Sequence, residues 1–316
     1  MAVYNSSQYI KPAIESILNQ TLQDFELIIV NDGSTDNSLD IINSYRDERI
    51  ILLNQENTGV AKARNNGVKI SRSQYIAVQD SDDISYNYRL KKQYEFLCNN
   101  EDYILIGGNA DIIDSNGTYI YSSNVILSDR EIKNNFETMS EPSLPFFGPS
   151  IFFLKSIFLE MGGYPEYMEN TFEDLTLVNR LKNKGKMCNL KSKMIKYRIT
   201  PASLTQRNKL IEVKLNKIVN KAIKYDSLED DEIDFLRKRL KSIPLNTRKI
   251  NYHLFLMKKF LFNNYNFIYA YNNFKKALLL NPLRLYTYLY LLILFLPRKV
   301  ILFLHRMVKK LQGAIN

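Results

Sequence analysis

The chain has 316 residues, 45% hydrophobic and 24% charged, a net charge of +10 and two cysteines, Cys98 and Cys188. This is a globular composition with room for one sizeable α/β domain and an appendage. Two cysteines exclude a disulfide framework and a cysteine-built structural zinc site, so a reducing compartment is the default reading.

The first ten residues, MAVYNSSQYI, carry neither a basic region nor an apolar run, and no secretory signal is read there. Ala2-Val3-Tyr4 reads as the end of a strand. Residues 9–20 read as a helix with Ile10, Ile14, Ile17 and Leu18 on one face. Residues 25–30, FELIIV, form a near-continuous apolar run, as a strand buried on both faces requires. A second helix starts at Asp36 with Leu39, Ile42 and Tyr45 inward. A third strand (50–53), a third helix (59–70), a fourth strand (75–78), another helix (88–99) and a strand (103–106) follow. Strand and helix alternating at this spacing predict parallel pairing with right-handed crossovers. Residues 111–149 read as irregular, with a turn at Asn116-Gly117 and breaks at Pro142, Pro145 and Pro149. Order returns at 151–154, a helix is predicted over 172–183, and beyond Lys209 the pattern is almost wholly helical. The predicted division is 1–208 and 209–316.

Ligands of an open parallel sheet bind beyond the carboxyl ends of its strands. There the sequence places Tyr4-Asn5, then Asn31-Asp32-Gly33-Ser34-Thr35-Asp36, then Gln79-Asp80-Ser81-Asp82-Asp83. Carboxylates converging on one edge repel each other unless a cation or hydrogen-bond donors sit among them. Asp80 and Asp82, one residue apart, can divide the work, one gripping a hard divalent ion and the other a ribose hydroxyl. Taken alone, the same residues also suit a polar loop and helix cap, and Asp32-Gly33 a plain turn.

In order and spacing these segments resemble family 2 glycosyltransferases of the GT-A type. The set is Tyr4-Asn5, N-D-G-S-T-D (31–36), N-x-G-x-x-x-A-R-N-x-G (57–67), D-S-D-D (80–83), Gly162-Gly163-Tyr164 and the acidic pair Glu173-Asp174, and it covers roughly residues 1–205. The resemblance implies an α/β GT-A fold, Rossmann-like, with a mixed, mainly parallel sheet, to which composition adds the basic helical C-terminal region. It implies Tyr4 against the nucleobase, Asp32 accepting the base imide N–H, Arg64 reaching the nucleotide, Asp80 on the ribose and Asp82 on a divalent metal (Mn²⁺ or Mg²⁺). An imide partner favours uracil or thymine, so UDP-sugars are the leading donors. Asp174, with Glu173 beside it, is implied as the base that deprotonates the acceptor. For Arg64 a surface salt bridge, and for the acidic pair a favourable charge at a helix start, are the plainer alternatives.

The expected activity is single displacement with inversion, from a nucleotide sugar to a lipid-linked or glycan acceptor of a bacterial surface polysaccharide. A degenerate transferase fold serving as a nucleotide- or membrane-binding scaffold is the competing class. Two departures from the family pattern favour it: Met1 falls inside the first strand, and Thr200 stands where many relatives carry a metal-binding histidine. The two histidines, His253 and His305, lie in the tail.

Charge divides the chain. Residues 1–204 carry 21 Lys/Arg against 26 Asp/Glu, the remainder 22 against 7, and no acidic residue follows Asp234. The run 285–296 is apolar but twelve residues long, short of the roughly 20 that span a bilayer. Flanked by Lys and Arg, it suits a helix lying in an anionic membrane surface, or else a subdomain packed inward or into a homo-oligomer. No nucleic-acid module is recognised. A cytoplasmic protein, peripheral on the inner face of the plasma membrane, is the expectation.

Overall fold

Three apolar runs near the start pair side by side in a computed structural model, which describes residues 1–125, 127–138, 143–168, 172–201, 213–241 and 244–282, with 288, 294, 296, 299 and 300. Strands β1 (Ala2–Val3), β2 (Leu27–Asp32) and β3 (Ile50–Gln55) form a parallel sheet in the order β1-β2-β3, with Ala2 opposite Val30 and Leu27 opposite Ile50. Helices α1 (Ile10–Leu18), α2 (Ser38–Asn43) and α3 (Val60–Ile70) alternate with the strands. Val3, Ile10, Ile14, Ile17, Leu27, Ile29 and Ile42 make one core here. Burying each such side chain contributes about 1.5–3 kcal/mol. Because that core fixes the ends of β1 and β2, it fixes where the polar residues after them emerge.

The second sheet departs from the predicted parallel pairing. It comprises β4 (Tyr75–Ala77), β5 (Ile84–Ser85), β6 (Tyr103–Ile113), β7 (Tyr119–Ser122), β8 (Phe152–Leu154) and β9 (Lys186–Arg198). The order is β4-β8-β6-β9-β5, with β7 also on β6. β8 runs antiparallel between β4 and β6, and β9 antiparallel to β5. Parallel pairing is kept by the first three strands and by a bridge from Ala2 to Asp80. A cavity of about 770 Å³ lies between β2 and β4, lined by Met1, Ile28, Tyr75, Ile76 and Val78 among others.

The predicted irregular stretch is largely ordered. β6 runs on to Ile113, β7 follows the turn at Gly117, and α5 spans Asp129–Thr138. Ser128 caps α5: its backbone N–H and its hydroxyl both donate to Glu131 Oε2 at 2.7 Å, a capping box that the proline-rich sequence masks. α4 (Arg89–Cys98) and α7 (Glu173–Leu181) match the predicted helices, and α6 (Lys155–Glu160) is a short helix that the sequence pattern does not predict.

By its internal contacts the chain divides into two compact units, the first comprising 1–111, 122–198 and 211–241, and the second 112–121, 199–210 and 242–316. In the first, α8 (Val213–Tyr225) and α9 (Asp230–Lys241) bury Leu215, Val219, Ala222 and Leu236 with Met168 and Leu175. In the second, α10 (Leu245–Phe262) and α11 (Phe267–Leu280) bury Ile250, Leu254, Met257 and Phe260 of one helix and Ala270, Phe274 and Ala277 of the other. There the Tyr252 hydroxyl accepts from Ser115 N at 2.9 Å, and His253 Nδ1 meets Asn273 Oδ1 at 2.9 Å. Among the described residues no helix is long and apolar enough to cross a membrane. The predicted interfacial run 285–296 and His305 lie outside the described residues, apart from positions 288, 294 and 296.

Candidate active site

The polar loops meet at the carboxyl end of the parallel strands, as predicted, and hydrogen bonds tie them to one another. Asn5, in a left-handed conformation at φ 49°, accepts through Oδ1 from Thr35 N at 2.8 Å and Asp36 N at 3.3 Å. Its own N–H donates to Ser34 Oγ, and the Ser6 and Ser81 hydroxyls meet at 2.7 Å. The loops after β1, β2 and β4 are thus one connected rim. Gly33 turns at φ +71°, where a Cβ would stand 2.7 Å from Asn57 N. Tyr4 is 51% exposed on this rim, its ring open for stacking.

Asp32 is buried, and both of its oxygens are engaged. Oδ1 accepts from Thr58 N at 2.9 Å and Gln55 Nε2 at 2.7 Å, and Oδ2 from Gly59 N at 2.9 Å. It holds the end of β3 and the entry to α3, whose first N–H groups have no partner inside the helix.

Arg64 on α3 is the hub of the site. Nη2 donates to Asp80 Oδ1 at 2.7 Å, while Nη1 donates to Glu173 Oε1 at 3.1 Å and Asp174 Oδ1 at 3.0 Å. The guanidinium carbon lies 5.3 Å from the centroid of the Tyr164 ring. With 9% of its side chain exposed, this cation is not the plain surface salt bridge of the alternative reading. Burial works against its charge, but Asp174 and Asp80 hold its pKa well above the ordinary value. Residues distant in sequence therefore converge: Arg64, Asp80, Glu173 and Asp174 share one set of ion pairs.

The acidic pair opens α7, after Phe172 in a left-handed conformation at φ 56°. Burial, then Asp174, push Glu173 up to about 7, against the pull of Arg64. Burial also raises Asp174, and Arg64 again opposes it. The three-residue 3₁₀ turn Gly148–Ser150 passes so close that a Cβ on Gly148 would stand 2.4 Å from Asp174 Oδ2. Only glycine leaves that carboxylate its place.

Asp82 has no cation in direct ion-pair contact among the described residues. Burial and then Asp80 push it up to about 7. Asp83 beside it is raised further by burial and Asp82; its Oδ1 accepts from Arg198 N at 2.6 Å, and its buried Oδ2 has no partner. Arg198 Nε donates to the Asp82 carbonyl at 2.7 Å. Arg198 opposes these shifts and Arg64 pairs with Asp80, and the Asp82 carboxylate is a hard oxygen donor of the kind that Mg²⁺ or Mn²⁺ takes. Among the described residues no three His, Cys, Asp or Glu side chains could hold a metal by themselves.

Sequence reasoning named Tyr4, Asp32, Arg64, Asp80, Asp82, Glu173 and Asp174, and missed Gly148 and Arg198. It quoted Asp83 only as the last letter of its motif. A single Gly-Pro or a strand-end arginine carries no signal of its own.

The sequence pattern described as Glycosyl transferase family 2 matches residues 1–161, just over half of the 316 residues. The chain belongs to that family. Similar proteins include an uncharacterized glycosyltransferase of Methanocaldococcus jannaschii, 42% identical over 125 residues, which are 38% of this chain and 43% of that protein. GlyG of Streptococcus pneumoniae is 35% identical over 122 residues, 38% of this chain and 40% of that protein. The match thus spans about two fifths of the length of these relatives. Among solved structures, S. aureus TarS 1–349 in complex with UDP-GlcNAc superposes with a TM-score of 0.52 at 18% identity, covering 87% of this chain and 88% of that one. TarS 1–349 in complex with UDP gives 0.51 at 19% identity, covering 84% and 72%. At that identity the likeness shows the fold, and with the family match it makes this chain a family member of GT-A fold.

Proposed function

We propose that this glycosyltransferase moves a sugar from a UDP-sugar to a hydroxyl of a lipid-linked or glycan acceptor, with inversion, in bacterial surface glycan synthesis. The observation that carries the reading is the convergence on Arg64 of Asp80, from the donor-side loop, with Glu173 and Asp174, from the start of α7. A donor group and a candidate base are thereby held by one rigid cation. TarS, of the same fold, has been crystallised with UDP and with UDP-GlcNAc, which supports the choice of base.

Asp174 takes the proton from the acceptor hydroxyl, which must come within about 3 Å of it. The acceptor oxygen forms its bond to the anomeric carbon as the bond to the diphosphate oxygen breaks, and the electron pair leaves with the diphosphate. Glu173, sharing Arg64 with Asp174, keeps the pair oriented. Tyr4 stacks on the base, Asp32 takes its imide N–H through Oδ2, which accepts from Gly59 N and is the less engaged of its two oxygens, and Asp80 meets the ribose. Asp82 would hold a divalent cation together with the donor phosphates and water. When bound, such a cation would supply Lewis-acid stabilisation of the leaving diphosphate.

A non-catalytic scaffold would not need three buried or half-buried acids gathered on one arginine. Incubation with UDP-sugars and Mn²⁺ tests the proposal. UDP release is expected from the wild type and is lost in Asp82→Ala and Asp174→Asn. Equal release by all three proteins, or none by any, contradicts the reading.

A further inference from the structure

Helix α11 is apolar on both sides. Its inner face buries Ala270, Asn273, Phe274 and Ala277, so packing accounts for those residues. Its outer face is also apolar: Ile268 is 70% exposed and Leu279 73%, and exposed Phe267 and Tyr271 stack on each other with ring centroids 6.2 Å apart. Ile268, Tyr271, Lys275 and Leu279 follow one another at helical spacing, and Lys275 and Lys276 are exposed among them. An exposed apolar face of this kind marks an interaction surface rather than chance exposure.

Charge selects the partner. After Asp234 the sequence has 16 Lys/Arg and no Asp or Glu, so an anionic surface is attracted and a basic one repelled. Tyr and Phe at the edge of an aliphatic stripe, with lysines flanking it, suit the headgroup level of a lipid bilayer. The apolar run 285–296 and Arg298-Lys299 continue that chemistry along the chain.

We infer that the outward face of α11, centred on Ile268, Tyr271, Lys275 and Leu279, docks on an anionic membrane surface. The inference deepens the reading of a lipid-linked acceptor and rests on the transferase proposal for its purpose. Its own test is separate.

The full-length protein is sedimented with vesicles of phosphatidylglycerol in phosphatidylcholine, and with phosphatidylcholine alone. Binding is expected with the first and not the second. Ile268→Ser with Leu279→Ser, and Lys275→Glu with Lys276→Glu, should each weaken binding by about tenfold or more, with the melting temperature and UDP-sugar hydrolysis unchanged. Undiminished binding by both double variants overturns the inference, as does absence of wild-type binding. A wild-type dimer that the Ser variant converts to monomer, without vesicle binding, also overturns it and gives the face to a second copy of the chain. Loss of hydrolysis in the wild type would instead count against the transferase reading.

Discussion

Arg64 touches three carboxylates with two nitrogens, and removing it changes two things at once. Without its charge, Glu173 and Asp174 become harder to ionise. Both already stand above ordinary carboxylates through burial, with Glu173 at about 7; Asp80 and Tyr164 also face the pair, and Arg64 is the cation that opposes the shift. A base works deprotonated, so turnover should rise with pH on a limb set above the ordinary carboxylate range, because burial raises Asp174, and fall on the acid side. Arg64→Met should move that limb to higher pH and lower kcat, with KM for the donor little changed, and Arg64→Lys should restore part of the loss. A raised donor KM with an unmoved pH profile would instead make Arg64 a nucleotide ligand, as the sequence resemblance first implied. Gly148 offers a second residue-scale test. The methyl group of Gly148→Ala must displace the Asp174 carboxylate. Misplacing a reacting group by about 1 Å costs on the order of 100-fold in rate. Steady-state kinetics should therefore show a kcat defect of that order while calorimetry shows normal UDP affinity.

At the scale of elements, the entry to α3 depends on Asp32. Asp32→Ala removes the acceptor of the Thr58 and Gly59 N–H groups, which are only half-covered and can turn to water, so the cost is about 1 kcal/mol. A thermal melt should show a clear fall in stability even without nucleotide. The β1–β3 half of the fold was legible because each strand is an apolar run closed by a polar motif, and each helix repeats its apolar positions at 3.6 residues. β9 was not, because Lys186, Lys191, Lys193 and Lys196 break up the buried positions Met187, Asn189, Met194 and Ile195. The antiparallel insertion of β8 was hidden as well, since residues 152–154 look the same whichever way the strand runs. α5 was concealed by the prolines after it. In the site, the acids were readable from motif order, whereas Gly148 acts by having no side chain, and Arg198 donates through its own N–H to the Asp83 carboxylate and through Nε to the Asp82 carbonyl, both more than a hundred positions away.

At the scale of the whole molecule, the acidic N-terminal region and the basic C-terminal one suit different partners. The first unit carries the loops and acids that a sugar nucleotide would meet, and the helices α10 and α11 lie in the second. Added salt screens exposed charges within about 10 Å at 0.1 M. It should therefore weaken vesicle binding steeply while leaving UDP binding at the half-buried carboxylates far less affected. The most direct measurement is calorimetric titration of UDP into the protein in manganese-containing buffer, alongside Asp82→Ala and Asp174→Asn. The wild type and Asp174→Asn should bind UDP, while chelation of the metal or Asp82→Ala should weaken binding at least about tenfold, near the loss of one charge-assisted contact. A wild type with no affinity for UDP, or an Asp82→Ala variant that binds it as tightly as the wild type, would contradict a donor diphosphate held at this edge of the sheet.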